Sequence, residues 1–171
     1  MSDAFVALHI AVLTVSDTRT EADDKSGSLL VKRLEAAGHR LHEKAICADD
    51  IYEIRARVAR WIADDKPDVV ITTGGTGLTG RDVTPQAVEA LFDRRIDGFG
   101  EMFRVLSYDV IGASTLQSRA LAGLSKATFV FCLPGSSGAC ADGWDKLIAP
   151  QIDIRTQPCN LHELLPRLTE R

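Results

Sequence analysis

Apolar positions recur along this chain in two rhythms that take turns. Leu8 to Val15 is a nearly unbroken apolar run, which predicts a buried strand. From Ser26 to Ala37 the residues Leu29, Leu30, Val31 and Leu34 form an amphipathic helical stripe, with Gly38 in the C-cap position. His39 to Ile46 alternates as a second strand. Ile51 to Ala63 returns to helical spacing through Ile51, Ile54, Val58, Trp61 and Ile62, and Val69 to Thr73 is a third, β-branched strand. Thr84 as N-cap and Pro85 at the first helical position start a helix that runs to about Phe92. Asp93 to Gly100 reads as a charged link and Phe99 to Ile111 as a helix, while Gly112 to Gly123 shows no clear pattern. Thr128 to Leu133 is a fourth apolar strand, followed by a helix from Ala139 to Ile148. From Pro150 on, Pro158, Pro166 and a polar composition predict an extended tail packed on the surface.

Strands alternating with helices over the whole length predict a mainly parallel sheet with helices on both faces. At 171 residues the chain fits one domain, residues 1–171, with a core of about 8–150 and a tail of 151–171. Ligands of such sheets sit outside the carboxyl ends of the strands. Ser16-Asp17, Asp49, the Gly74 to Asp82 loop and Pro134-Gly135-Ser136 all fall at such ends.

The richest of these ends follows Thr73. Between Gly74 and Thr84 stand four glycines and three threonines in eleven residues, with the Arg81-Asp82 pair among them. A strand, a glycine-rich loop and a helix start aim backbone N–H groups and a helix dipole at one spot, which favours an anion such as phosphate. A plain turn needs one or two glycines, not four. A P-loop would end in Gly-Lys-Ser/Thr, which Gly80-Arg81-Asp82 does not supply. Gly75, Gly77 and Gly80 fit G-x-G-x-x-G, but the helix begins after the last glycine, and no clear strand follows to bring an acid to a ribose. The loop is read as a phosphate site of another kind.

Composition narrows the class. Hydrophobic residues make up 45% of the chain and charged residues 26%, as in ordinary globular proteins. A net charge of −4 argues against a basic face for nucleic acid. No apolar run is long enough to span a bilayer, and Met1 to Ala7 has no basic start before an apolar stretch, so neither a membrane span nor a signal peptide is expected. Cys47, Cys132, Cys140 and Cys159 are far apart and form no C-x-x-C, which suits reduced, inert thiols in a cytoplasmic protein.

The residues gathered at the strand ends are glycines, hydroxyls, Arg81 and carboxylates. No histidine is among them, so serine hydrolysis and three-histidine zinc chemistry lack their parts. Asp82 is the candidate metal or catalytic carboxylate, and one of Asp49 and Asp50 serves as the next helix's N-cap, leaving the other free. Carboxylates beside a phosphate need a cation between them, and Mg²⁺ is the usual one. This is equipment for phosphoryl or nucleotidyl transfer, which depends on positioning and charge neutralisation.

Four motifs in order carry a family resemblance: Thr72-Thr73-Gly74-Gly75-Thr76-Gly77, Arg81-Asp82-Val83-Thr84-Pro85, Gly98-Phe99-Gly100-Glu101 and Leu133-Pro134-Gly135. From about Ile10 to Leu161 the chain resembles the MoaB/MogA family of molybdenum cofactor biosynthesis proteins, related to the N-terminal domain of gephyrin. Ser114 to Arg119 and Arg155 to Asn160 resemble its bacterial MoaB branch. The resemblance implies a three-layer α/β/α molybdopterin-binding fold that assembles as trimers or hexamers and acts beside other proteins of the pathway. Phe99, Phe103, Trp144 and the tail are expected to offer apolar surface for subunit contacts. Active members transfer AMP from Mg·ATP onto the terminal phosphate of molybdopterin. By this likeness Asp82 and Asp49 are the catalytic carboxylates, with Asp50 one residue away and Cys47-Ala48 where the family carries a proline. Thr73, Gly74, Gly75, Thr76, Gly77, Ser16, Asp17, Pro134, Gly135 and Ser136 form the binding surface, with Asp82 the Mg²⁺ ligand. The alternative is a scaffold that holds a pterin or nucleotide without chemistry.

Overall fold

The computed structural model describes residues 4–65 and 67–170, so the first residues of Met1 to Ala7 and the last of the tail lie outside it. Six strands form one sheet in the order β2-β1-β3-β6-β5-β4. β1 (His9–Val15), β2 (Arg40–Cys47), β3 (Val69–Thr73) and β6 (Thr128–Leu133) run parallel, whereas β5 (Leu121–Ser125) and β4 (Arg94–Arg95) add an antiparallel edge.

The central strands are buried on both faces, which is why they read as apolar runs and not as alternating patterns. Ile10, Val12, Val69, Ile71, Phe129 and Phe131 pack on one side with Leu30 and Leu34 of α1 (Lys25–Ala36) and Phe99 and Phe103 of α4 (Asp97–Ile111). Trp144 and Ile148, following α5 (Ser137–Gly143), complete that layer. Ala11, Leu13, Val70, Val130 and Cys132 face the other side, against Ile54 and Val58 of α2 (Ile51–Arg60), Trp61 beyond it, and Ala87 and Val88 of α3 (Thr84–Glu89). The result is the mainly parallel α/β/α sandwich that the alternation predicts.

Local signals hold at several ends. Asp24 caps α1 by accepting from the Gly27 N–H at 2.9 Å, and Gly38, just past that helix, takes φ +90°. Thr84 differs from expectation. It is the first residue of α3, and its hydroxyl donates to the Gly74 carbonyl at 2.9 Å instead of capping the helix. A long-range acceptor outcompetes the local one.

β4 and β5 were not visible in the sequence, where they fall in the charged link and the patternless stretch. β5 carries small residues at Ala122, Gly123 and Ser125, and Gly123 leaves room for the Phe92 ring: a Cβ there would lie 2.2 Å from Phe92 Cδ2. Its two leucines, Leu121 and Leu124, stand three positions apart, so the strand shows no period of two. The tail is folded back, not extended. α6 (Ala149–Ile152) opens it, Asn160 bonds to the Ile154 and Thr156 carbonyls, and a 3-10 turn covers His162–Arg167. Leu161, Leu165 and Leu168 pack on the main core.

Phe99, Phe103 and Trp144 are only 7%, 2% and 3% exposed, so they fill the core and do not form the apolar surface expected of them. The exposed apolar face lies instead on α4 and the following turn, at Met102, Val105, Tyr108, Ile111 and Leu116. Among the described residues no helix is long and apolar enough to cross a membrane.

Candidate functional site

The chain leaves β1 through α1 to β2, then crosses back over β1 through α2 to β3. The connections therefore part company between β1 and β3, and an open α/β sheet forms its crevice at such a point. A cavity of about 550 Å³ opens there. Ser16, Asp49, Thr73, Gly74, Gly75, Thr76, Gly77, Asp82, Pro134, Gly135 and Ser136 all line it. Asp17 does not; it holds the rim, ion-paired with Arg81. The described lining residues include no histidine.

The glycine loop is shaped by close approach. Gly74 has φ +105°, and its main-chain N–H donates to the Leu133 carbonyl at 3.0 Å, tying the end of β3 to the end of β6. A Cβ at Gly74 would lie 2.2 Å from the Val15 carbonyl oxygen, so only glycine lets the two strand ends meet. Gly75 has φ +66°, and a Cβ there would lie 2.4 Å from Thr84 Oγ1 and 3.1 Å from Asp49 Oδ1. At Gly77 a Cβ would lie 2.8 Å from Asp82 Oδ2. Each of the two candidate carboxylates thus rests against a different glycine of the loop.

The two carboxylates have different surroundings. Asp82 accepts from the Thr79 N–H at 2.9 Å and the Thr79 hydroxyl at 2.7 Å. Those Thr79 bonds hold its carboxyl below the usual range against a modest opposing effect of burial. Burial pushes Asp49 up instead, and the neighbouring charges of Asp17 and Asp82 add to the rise. Asp50 is the helix cap. Its Oδ1 accepts from the Tyr52 and Glu53 N–H groups at 2.8 and 2.9 Å, which leaves Asp49 as the one that faces the cavity.

The hydroxyls are mostly engaged in holding turns. Ser16 Oγ accepts from the Thr18 and Arg19 N–H groups, each at 3.2 Å, and Ser136 caps α5 through the Ala139 N–H at 3.2 Å. Thr73 Oγ1 donates to the Pro134 carbonyl at 3.0 Å beside Cys140 Sγ. Cys132 and Cys140 are buried, with thiols pushed by burial to about 12 and about 11, so neither is a nucleophile. Cys159 is exposed.

Several residues of the cavity were not assigned to the site from the sequence. Thr14, Arg19 and Ser26 line the side toward α1, and Phe103, Ser107, Ile111, Gln117 and Ser118 form a wall from α4 and the turn after it. Asp24 lies beneath, accepting from Thr14 Oγ1 at 2.9 Å and paired with Lys44 at 2.9 Å. Burial works to raise its pKa, but the Lys44, Gly27 and Thr14 bonds outweigh it and hold the carboxyl low. Arg119 approaches the glycine loop from outside the cavity. The only hint of it was its place in the Ser114 to Arg119 stretch.

Comparison with known proteins shows the family. Residues 11–154 match the family described as a probable molybdopterin binding domain. Molybdenum cofactor biosynthesis protein B of Escherichia coli K12 is 51% identical over 167 residues, 98% of each chain. The Bacillus subtilis protein of the same name is 45% identical over 142 residues, 82% of this chain and 84% of that one. A crystal structure of molybdenum cofactor biosynthesis protein B superposes with a TM-score of 0.88 at 42% identity, over 99% of this chain and 100% of that one. The tungsten cofactor synthesizing protein MoaB of Pyrococcus furiosus superposes with a TM-score of 0.80 at 33% identity, over 96% and 98%. By its glycine loop, its fold and these likenesses, the chain belongs to the MoaB/MogA family of molybdenum cofactor biosynthesis proteins, on its MoaB branch.

Proposed function

We propose that the cavity between β1 and β3 binds molybdopterin and ATP, and that the protein transfers AMP onto the terminal phosphate of the pterin. The observation that carries this reading is the seating of Asp49 and Asp82 against Gly75 and Gly77, which sets two carboxylates beside one glycine loop in a single cavity. A phosphate oxygen of molybdopterin attacks the α-phosphorus of ATP, the bond to the β-phosphate oxygen breaks, and pyrophosphate leaves. The nucleophile is already an oxyanion, so a cavity without histidine lacks nothing for the step.

Two carboxylates suit Mg²⁺, which is commonly held by one or two such groups together with substrate phosphates. Asp82, ionised by its Thr79 bonds, and Asp49 would hold the ion, which would neutralise charge on the transferred phosphoryl group. The loop N–H groups orient the acceptor phosphate, and the apolar side chain of Ile111 on the cavity wall suits the flat face of a pterin. The reaction belongs in the cytoplasm, in a homo-trimer or homo-hexamer working with other proteins of the pathway.

A second reading is a scaffold that binds molybdopterin without chemistry. It is favoured by the full engagement of Asp82 Oδ2 with Thr79. Incubation with molybdopterin, ATP and Mg²⁺ followed by chromatography decides between them. The enzyme yields adenylylated molybdopterin, and a scaffold that binds the pterin yields none.

A further inference from the structure

We infer that Arg81 is a ligand-binding residue that trades its ion pair with Asp17 for a phosphate group of the molecule entering the cavity. The inference rests on the reading of that cavity as a site for phosphate-bearing ligands.

Among the described residues two cations line the cavity, Arg19 and Arg81, and they share it with the carboxylates Asp49 and Asp82. A polyphosphate brought up to two carboxylates meets like charge. A guanidinium is suited to offset it, because its planar fork takes two phosphate oxygens at once. Arg19 is held within its own turn: its Nη1 donates to the Asp23 carbonyl at 3.5 Å and lies 3.9 Å from the Asp23 carboxylate. Arg81 is placed differently. It sits on the loop after β3 and pairs with Asp17 on the turn after β1, so its ion pair links the two strand ends between which the cavity opens. Asp17 stands outside the lining and Arg81 within it. The guanidinium thus lies between a carboxylate on the rim and the space where the candidate ligand binds.

Little holds Arg81 to that carboxylate. Its side chain is 77% exposed, and Asp17 is the guanidinium's only hydrogen-bond or ion-pair partner among the described residues. An exposed ion pair gives at most about a 5-fold preference. A Cβ at Gly80 would meet nothing within 4 Å and Leu78 is exposed, so the loop tip that carries Arg81 has few neighbours to restrain it.

Asp17 does not need Arg81 to keep its place. Its Oδ1 accepts from the Asp49 N–H at 2.9 Å, and its own N–H donates to Asp49 Oδ2 at 3.1 Å. Arg81 therefore leaves without undoing the bonds that fix Asp49. A terminal phosphate carries up to about two negative charges against the single charge of a carboxylate. It also offers the fork two free oxygens, whereas one oxygen of Asp17 is already engaged by Asp49. The phosphate wins the exchange.

The test uses the intact, ¹⁵N-labelled protein with inorganic pyrophosphate as probe in Mg²⁺-free buffer. Wild type, Arg81→Gln, Arg81→Lys, Asp17→Asn and the double variant Arg81→Gln/Asp17→Asn are compared by calorimetry. In wild type the Arg81 Nε–H resonance, assigned by its loss in Arg81→Gln, should shift on titration. Arg81→Gln should weaken binding roughly 10-fold or more, as expected for charged hydrogen bonds lost. Arg81→Lys should fall between, because an ammonium keeps the charge but not the fork. Asp17→Asn keeps an acceptor for the Asp49 N–H and releases Arg81, so it should tighten binding, by up to about 5-fold. That gain should largely vanish in the double variant, where no cation remains to be released. A static ion pair would give the same gain with and without Arg81. Should Arg81→Gln not fold, the Arg81→Lys affinity and the wild-type Arg81 resonance decide. Equal affinity in wild type and the folded Arg81 variants, an Arg81 resonance silent to pyrophosphate, or an undiminished Asp17→Asn gain in the double variant overturns the inference. If the exchange is seen but wild type forms no adenylylated product, only the enzymatic reading fails.

Discussion

Asp17 and Asp49 hold each other: the Asp17 N–H donates to Asp49 Oδ2 at 3.1 Å, and the Asp49 N–H donates to Asp17 Oδ1 at 2.9 Å. This reciprocal pair joins the turn after β1 to the turn after β2. It fixes the Asp49 carboxylate over Gly75 and sets two like charges side by side, with Arg81 paired to Asp17 as the compensating cation.

The pH response of activity follows from that pair. Burial and the charges of Asp17 and Asp82 raise the pKa of Asp49, so it takes up a proton as pH falls toward the carboxylate range, while Asp82 stays ionised. If adenylylation requires both carboxylates charged, the acid limb of the rate profile belongs to Asp49. Arg81→Ala removes a compensating cation and should move that limb to higher pH. An unchanged profile in Arg81→Ala would show that the limb has another source.

Asp82 divides enzyme from scaffold. Asp82→Asn retains an acceptor for the Thr79 N–H and hydroxyl but loses the charge. Adenylylation should fall about 10²- to 10³-fold, the usual loss for one preorganised electrostatic element. Molybdopterin affinity should hold or rise, since a negative charge near its phosphate is gone. Equal turnover in both proteins would remove Asp82 from the chemistry.

Glycines of one loop should respond unequally. Gly75→Ala puts a Cβ onto Thr84 Oγ1 at a residue with φ +66°, which costs about 1–3 kcal/mol and displaces Asp49. A Cβ at Gly80 meets nothing within 4 Å, and Gly80→Ala should stay within about 0.5 kcal/mol of wild type. Urea denaturation and pterin calorimetry on both variants check this. Parity between them would mean that the loop is not held as described.

Lys44 neutralises the buried Asp24 beneath the site. Lys44→Met leaves that carboxylate unpaired and should destabilise the protein by about 3 kcal/mol at pH 7. In wild type the depressed pKa of Asp24 contributes stability that is present above the unfolded value of 3.8 and lost as pH falls through the folded one. In the variant only the Gly27 and Thr14 bonds still oppose burial, so Asp24 takes up its proton at higher pH than in wild type. The stability gap should therefore shrink between pH 7 and pH 4.5. A gap that stays constant would show that Asp24 does not carry the charge assigned to it.

Assembly is expected through α4. Val105 is 59% exposed, beside exposed Met102, Tyr108 and Ile111, a face too apolar to stay in water in a trimer or hexamer. Light scattering should return an oligomer for wild type and a smaller species for Val105→Glu. A wild-type monomer at micromolar concentration would refute this.

The primary sequence alone determined the parallel core and the place of the glycine loop. Leu8 to Val15, Val69 to Thr73 and Thr128 to Leu133 are read from short apolar runs, and a strand that ends in glycines and hydroxyls must put them at the sheet's carboxyl edge. These are local properties, set by side-chain period and backbone freedom. Only the tertiary structure decided which of the adjacent Asp49 and Asp50 faces the cavity, because the choice depends on a bond to Asp17, 32 positions away. The same holds for Thr84, taken from its helix by the Gly74 carbonyl, and for the strand Leu121–Ser125, recognisable only beside β6 and Phe92. Arg119 grips Gly77 from 42 positions away. Hydrogen-bond geometry at that range is fixed by chain crossings, on which local periodicity has no bearing.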